Sequence, residues 1–187
     1  MDKKFLQNYF KDIKDLVEPD NINLEQLVQV KQKLIQVNDL GHKTLIFGNG
    51  GSAAMASHFS VDLTKNAGIR CVNFNESDLI TCFANDYGFS QWVGKAIEFY
   101  ADEGDLLILI SSSGKSENMI NAIEAARKKN LSSVITFSGF EKENPLIKGG
   151  DVNFWVNSRA YNFIENIHQI WLLSLVDLII GEKEYSA

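Results

Sequence analysis

The chain has 187 residues, 45% of them hydrophobic and 22% charged, and a formal net charge of −6. That length supports one domain over residues 1–187 with a sizeable core, and an acidic balance without a basic stripe argues against nucleic acid as a direct partner. The cysteines, Cys71 and Cys82, fit no metal or redox spacing and read as free thiols in a reducing cytoplasm. The opening stretch, MDKKFLQNYFKDIKDL, lacks the uninterrupted apolar region of a signal peptide. The most apolar late run, Trp171–Ile180, is broken by Asp177 and is too short to span a bilayer, so no membrane is expected.

Residues 2–17 place Phe5, Phe10, Ile13, Leu16 and Val17 at spacings that suit an amphipathic helix. Glu18-Pro19-Asp20 breaks it, and a second helix follows with Asn23 as a candidate cap and Gly41 as its end. These N-terminal helices, residues 1–40, are more than a minimal α/β unit needs. Their apolar faces either bury between subunits or cover the sheet. The α/β core and last helix occupy residues 41–182. Thr44–Phe47 reads as a buried strand, Ile69–Phe74 as a second, and Asp105–Ile110, continuously apolar, as a third buried on both faces. Ser133–Phe137 and Asp151–Val156 complete five strands. Helices are expected over Ala53–Leu63, Asp78–Ala84, Gln91–Tyr100 and Glu117–Asn130, with a turn at Asn85-Asp86-Tyr87-Gly88. One long helix runs from Tyr161 to Ile180. Strands alternating with helices imply a parallel sheet covered on both faces, an α/β three-layer sandwich.

Two loops in that pattern carry chemistry. Gly48-Asn49-Gly50-Gly51 joins the first strand to its helix, with Ser52 read as the helix cap. Strand, glycine turn and helix start aim backbone N–H groups and a positive helix end at an anion, and glycine lets a ligand approach the main chain closely. Ser111-Ser112-Ser113-Gly114-Lys115-Ser116 follows the third strand and offers four hydroxyls at another helix start. Both loops leave strand C-terminal ends, the usual ligand position in an open α/β sheet. Charge capture combined with many hydrogen-bonding groups suits a sugar phosphate.

FGNGGSAAMASHF, FANDYGF, LISSSGKSENMINAIEAAR and FIENIH together resemble the phosphoheptose isomerase branch of the sugar isomerase (SIS) domain family, over roughly residues 40–180. The resemblance implies a flavodoxin-like sheet, a homotetramer whose sites draw residues from neighbouring subunits, and conversion of sedoheptulose 7-phosphate to a heptose 7-phosphate. It implies phosphate binding by Ser111, Ser112, Ser113 and Ser116, and substrate contacts from Asn49, Gly50, Gly51, Asn85 and Asp86, with Ser52 beside them.

It also implies a divalent metal, usually zinc. On the family's pattern His58 stands at the first ligand position and Asp62 where the family has Glu. Glu165 stands where it has Gln, and Leu173 where it has a histidine that ligates and moves protons. His58 and Asp62, four residues apart, share a helix face, and with Glu165 they make three donors suited to a divalent ion. His168 matches another histidine of the pattern and is a secondary candidate ligand. Two functions follow. One is an aldose–ketose isomerase, with Asp62 as the base and Glu165 sharing its work. A changed sugar phosphate, destined for surface polysaccharide, would account for the altered ligands. The other is a non-catalytic phosphosugar-binding module acting through a protein partner, which the loss of the last histidine favours.

Overall fold

The structure, a computed structural model, describes residues 1–185. Helices α1 (Asp2–Val17) and α2 (Asn21–Asp39) precede β1 (Thr44–Gly48), α3 (Gly51–Lys65) and β2 (Cys71–Val72). Then come α4 (Ser77–Tyr87), α5 (Trp92–Tyr100), β3 (Leu106–Ser111), α6 (Glu117–Lys128) and β4 (Ser133–Ser138). The chain ends with α7 (Pro145–Gly149), β5 (Val152–Trp155) and α8 (Tyr161–Ile180). All strand pairings are parallel, in the order β2-β1-β3-β4-β5. This is the flavodoxin-like α/β sheet expected from the sequence.

Alternation along the strands builds three layers. Ile46, Leu106, Ile108, Ile110, Ile135 and Phe137 pack with the apolar faces of α2, α3 and α8. Leu45, Phe47, Leu107, Leu109 and Val134 face the other way, onto α5, α6 and Leu146 of α7. β3 and β4 are buried along their whole length, which is why their sequences carry no polar alternation. At the opposite end of the sheet from the two loops, Asp105 fastens the strand entries. Its carboxylate accepts from the Lys43 and Asp102 backbone N–H groups at 2.9 and 2.8 Å, and Lys43 Nζ lies 2.7 Å away.

α8 is 20 residues long, and an 18-residue window within it has a mean hydropathy of 1.4, enough by length and composition to cross a membrane. Phe163, Ile164, Ile167, Trp171, Leu172, Leu175 and Val176 on one face of the helix are buried in the core, while Ile170 and Leu178 stay exposed. α1 behaves differently. None of its residues is buried, and Phe5, Leu6 and Phe10 are more than half exposed. It touches α8 through an edge-on Tyr9–Phe163 pair and through Trp171 Nε1–H, which donates to the Val17 carbonyl.

Several expectations are corrected. β2 shrinks from Ile69–Phe74 to Cys71–Val72, because it is an edge strand with a ladder on one side only. Asn85, Asp86 and Tyr87 form the last turn of α4, and Gly88 at φ +85° stops the helix one residue later. Asp20, not Asn23, caps α2: its carboxylate accepts from the Asn23 N–H at 2.7 Å. α7 was not foreseen, being only five residues long. Ser52 is not a cap either. It lies within α3, whose N-cap is Gly50 at φ +56°. Glycine is required there because an L side chain rarely adopts that φ. Ser52 packs so tightly on Gly48 that a Cβ at residue 48 would collide with it.

Candidate active site

The topology reverses between β1 and β3. From β1 the chain crosses outward to β2, and from β3 it proceeds the other way to β4 and β5. In such a sheet the crevice outside the strand C-termini at this reversal is the ligand position. Register pairs Gly48 with Ile110, so the glycine turn and the serine loop leave the sheet side by side. They are also bonded together. Asn49 Nδ2 donates to Asn118 Oδ1 at 2.9 Å, and Asn118 Nδ2 donates to Asn49 Oδ1 at 2.9 Å. This reciprocal amide pair clamps the turn before α3 to the first turn of α6, so two positive helix ends converge on one place.

The serine loop has a defined internal arrangement. Ser111 Oγ–H donates to Ser116 Oγ at 3.0 Å, so the Ser116 hydroxyl serves this bond although the residue stands at the N-cap position of α6. The Gly114 N–H closes the turn on the Ser111 carbonyl at 2.9 Å, and the Lys115 N–H donates to Ser113 Oγ at 3.2 Å. The Ser112 hydroxyl is buried and has no hydrogen-bond partner among the described residues. A buried hydroxyl left unpaired is costly, and this one lies in the loop at the N-terminal end of α6.

Glu165, on α8, lies against the glycine turn. Its carboxylate fills the space that a Cβ on Gly51 would need, at the N-terminal end of α3 where negative charge is favoured. His58 and Asp62 form a second group further along α3, with His58 Nε2 3.2 Å from Asp62 Oδ2. Gln169, one turn of α8 beyond Glu165, places its Nε2 3.2 Å from His58 Nδ1. A carboxylate only accepts, so His58 Nε2–H donates to Asp62. Gln169 and Asn118 were missed in the sequence. Neither pattern nor charge marks them, and their partners lie 111 and 69 residues away.

The expected donors therefore fall in two places. From Gly51 to Asp62 is eleven residues on one helix, about 16 Å. Among the described residues no three His, Cys, Asp or Glu side chains come together as a metal-holding group. The zinc set of His58, Asp62 and Glu165 does not assemble within one chain. His168 lies elsewhere again. It is fully buried, its Nε2–H donates to the Ser138 carbonyl at 3.1 Å, and Phe137 packs against the ring. Burial pushes its pKa down to about 4, against a smaller upward pull from the Ser138 bond, so the ring is neutral at pH 7. Asn85 and Asp86 are exposed on α4; Asn85 Nδ2 donates to Asp86 Oδ1 at 2.9 Å, and no side-chain hydrogen bond joins either to the two loops.

The fold is a parallel α/β sheet with two helix-start loops side by side at its reversal, and residues 7–139 match the SIS domain. Phosphoheptose isomerases from Fusobacterium nucleatum and Proteus mirabilis are each 34% identical to the chain. They align over 155 and 172 residues, covering 80% and 88% of this chain and 78% and 88% of theirs. The phosphoheptose isomerase of Neisseria gonorrhoeae superposes with a TM-score of 0.87 at 27% identity, over 97% of this chain and 100% of that one. That of Francisella tularensis gives 0.89 at 26% identity, with the same coverage. The chain belongs to the phosphoheptose isomerase family of SIS-domain proteins, and it is an enzyme, a sugar-phosphate isomerase. The family assignment is consistent with a metal.

Proposed function

We propose that this protein is an aldose–ketose isomerase acting on sedoheptulose 7-phosphate, or on a related sugar phosphate destined for surface polysaccharide, in the cytoplasm. The observation that carries this reading is the Asn49–Asn118 clamp, which brings both anion-binding loops to one crevice. Ser111, Ser112, Ser113 and Ser116 hold the phosphate. Asn49, Gly50, Gly51 and Ser52 line the sugar's path, with Asn85 and Asp86 at its outer edge. A carboxylate takes the proton from the ketose carbon beside the carbonyl. The resulting enediol is reprotonated on the neighbouring carbon, while a hydroxyl proton moves between the two oxygens.

Glu165 is the carboxylate that stands at the crevice of its own chain. Asp62, about 16 Å along α3 from the glycine turn, meets a crevice in our reading only as a residue contributed by a second copy. That fits a homotetramer. The exposed apolar residues Phe5, Leu6 and Phe10 on α1, with Ile22, Leu24 and Val28 on α2, supply the surface such an assembly would bury. In the same reading zinc needs donors from more than one chain, since one chain's set does not close around an ion.

The deciding experiment incubates the protein, metal-free and zinc-loaded, with a panel of ketose phosphates, and follows aldose formation and solvent deuterium incorporation by NMR. Aldose product with deuterium at the exchanged carbon is expected. Sugar-phosphate binding without C–H exchange in either state would refute the enzyme mechanism and leave a phosphosugar-binding module.

A further inference from the structure

The serine loop is braced from below by a residue far along the chain. Asn144, six residues beyond β4, is fully buried. Its Nδ2 donates to Ser138 Oγ at 3.0 Å and to the Glu141 carbonyl at 2.9 Å, and its Oδ1 accepts from the Ile147 N–H at 3.1 Å. The same side chain lies under Gly114, where a Cβ would collide with it; Gly114 itself has φ +65°. The main chain closes around this contact. The Leu146 N–H donates to the Gly114 carbonyl at 3.1 Å, and the Gly139 N–H donates to the Ser112 carbonyl at 2.9 Å. Ser138 is the hub, because its carbonyl also accepts from His168 on α8, three residues past Glu165.

Capping α7 explains only the Oδ1 bond. Both amide hydrogens are spent on the end of β4 and the turn after it, and the face of the amide is spent on Gly114. We propose that Asn144 is a positioning residue for phosphate capture. It holds Ser111–Ser116 in its binding shape before substrate arrives and, through Ser138, ties that loop to the helix that carries Glu165. This rests on the phosphate reading of the loop. A preformed set of donors binds an anion more tightly than one that must be ordered on arrival.

The test uses the intact protein and Asn144→Asp, Asn144→Ala, Gly114→Ala and the Gly114→Ala/Asn144→Ala pair. Asn144→Asp keeps size and the α7 cap but loses both donors, so it remains readable even if Asn144→Ala folds poorly. The readouts are Kd for inorganic phosphate by calorimetry and KM and kcat for the sugar phosphate. Asn144→Asp should weaken phosphate binding and raise KM by ~10-fold or more, the scale of one hydrogen bond to a charged group, with a much smaller change in kcat. Gly114→Ala should do the same, and the pair should lose less than the two single effects combined, because Asn144→Ala removes the Cγ and Oδ1 atoms that the new Cβ strikes hardest, leaving only the residue's own Cβ in contact. A folded Asn144→Asp protein with wild-type phosphate affinity and KM would overturn the proposal while leaving the phosphate loop intact. Strictly additive effects in the pair would overturn it too. A wild-type protein that holds phosphorylated and unphosphorylated sugar equally would instead remove the phosphate reading, and the proposal with it.

Discussion

The carboxylate of Glu165 occupies the volume that any side chain on Gly51 would require. The missing side chain at residue 51 thus admits an acid from α8 to the N-terminal end of α3. Gly51 is not one of the glycines with positive φ, so its backbone tolerates alanine, and the atoms that must yield are the far end of a flexible side chain. Gly51→Ala should leave the melting temperature nearly unchanged, within the scatter of an ordinary surface substitution. Turnover should fall by ~10-fold or more, because the carboxylate is pushed out of place. A scan paired with steady-state kinetics checks both halves, and unchanged turnover would detach Glu165 from the chemistry.

The sequence showed this fold where a single element sufficed to reveal it. α8 runs from Tyr161 to Ile180 as read, because no glycine or proline interrupts it. β3 is legible because DLLILI can only be buried on both faces. Both phosphate-loop candidates were visible as turn residues after strands. What stayed hidden depends on partners remote in the chain. Asn118 is an ordinary helix residue until Asn49 faces it, Gln169 until His58 does, and Asn144 until Gly114 sits on it. Ser52 was misread for the opposite reason. Local preference favours serine as a cap, but the close packing of Ser52 on Gly48 draws it into the helix and leaves the cap to Gly50.

His168 should give the protein an acid limb to its stability. Burial lowers its folded pKa from 6.5 to about 4. The unfolded chain takes up a proton below about pH 6.5 while the folded chain does not, so stability is full above 6.5 and falls as pH drops toward 4. The loss should total about 3 kcal/mol across that window. His168→Gln keeps a donor for the Ser138 carbonyl and removes the titration. Urea unfolding of the two proteins at pH 7, 5.5 and 4 should show a steep decline for wild type and a shallower one for the variant. Parallel declines would mean that other groups carry the limb.

Lys43 pairs with two carboxylates of very different standing. Asp105 is almost completely buried and Asp102 is exposed. The hydrogen bond and charge of Lys43 hold the Asp102 carboxyl below its usual range, yet solvent screens such a pair. Asp105→Ala would leave the Lys43 and Asp102 N–H groups without their acceptor and the ammonium with only the exposed Asp102. It should cost about 3–5 kcal/mol, the range for breaking one half of a buried pair. Asp102→Ala should change the denaturation midpoint little. Comparable losses from both would show that the exposed partner matters as much as the buried one.

The two carboxylates proposed for catalysis can be tested for whether they act within one chain. Glu165 stands at the crevice of its own chain, while Asp62 is remote along α3 and pairs with His58. Asp62→Asn and Glu165→Gln each keep side-chain size and remove basicity, and each should lower turnover by roughly 10²-fold or more with binding of the sugar phosphate retained. Mixing the two inactive proteins under conditions that dissociate and reassemble the oligomer then separates the possibilities. If each site takes Glu165 from one copy and Asp62 from another, random mixing restores roughly a quarter of the sites. If both carboxylates serve the site of their own chain, every site keeps one defect and activity stays at the level of the single variants. Light scattering on the same samples confirms reassembly. A reassembled mixture with no recovered turnover would refute the shared site, and Asp62 would then have to act through a large movement of α3 or not at all.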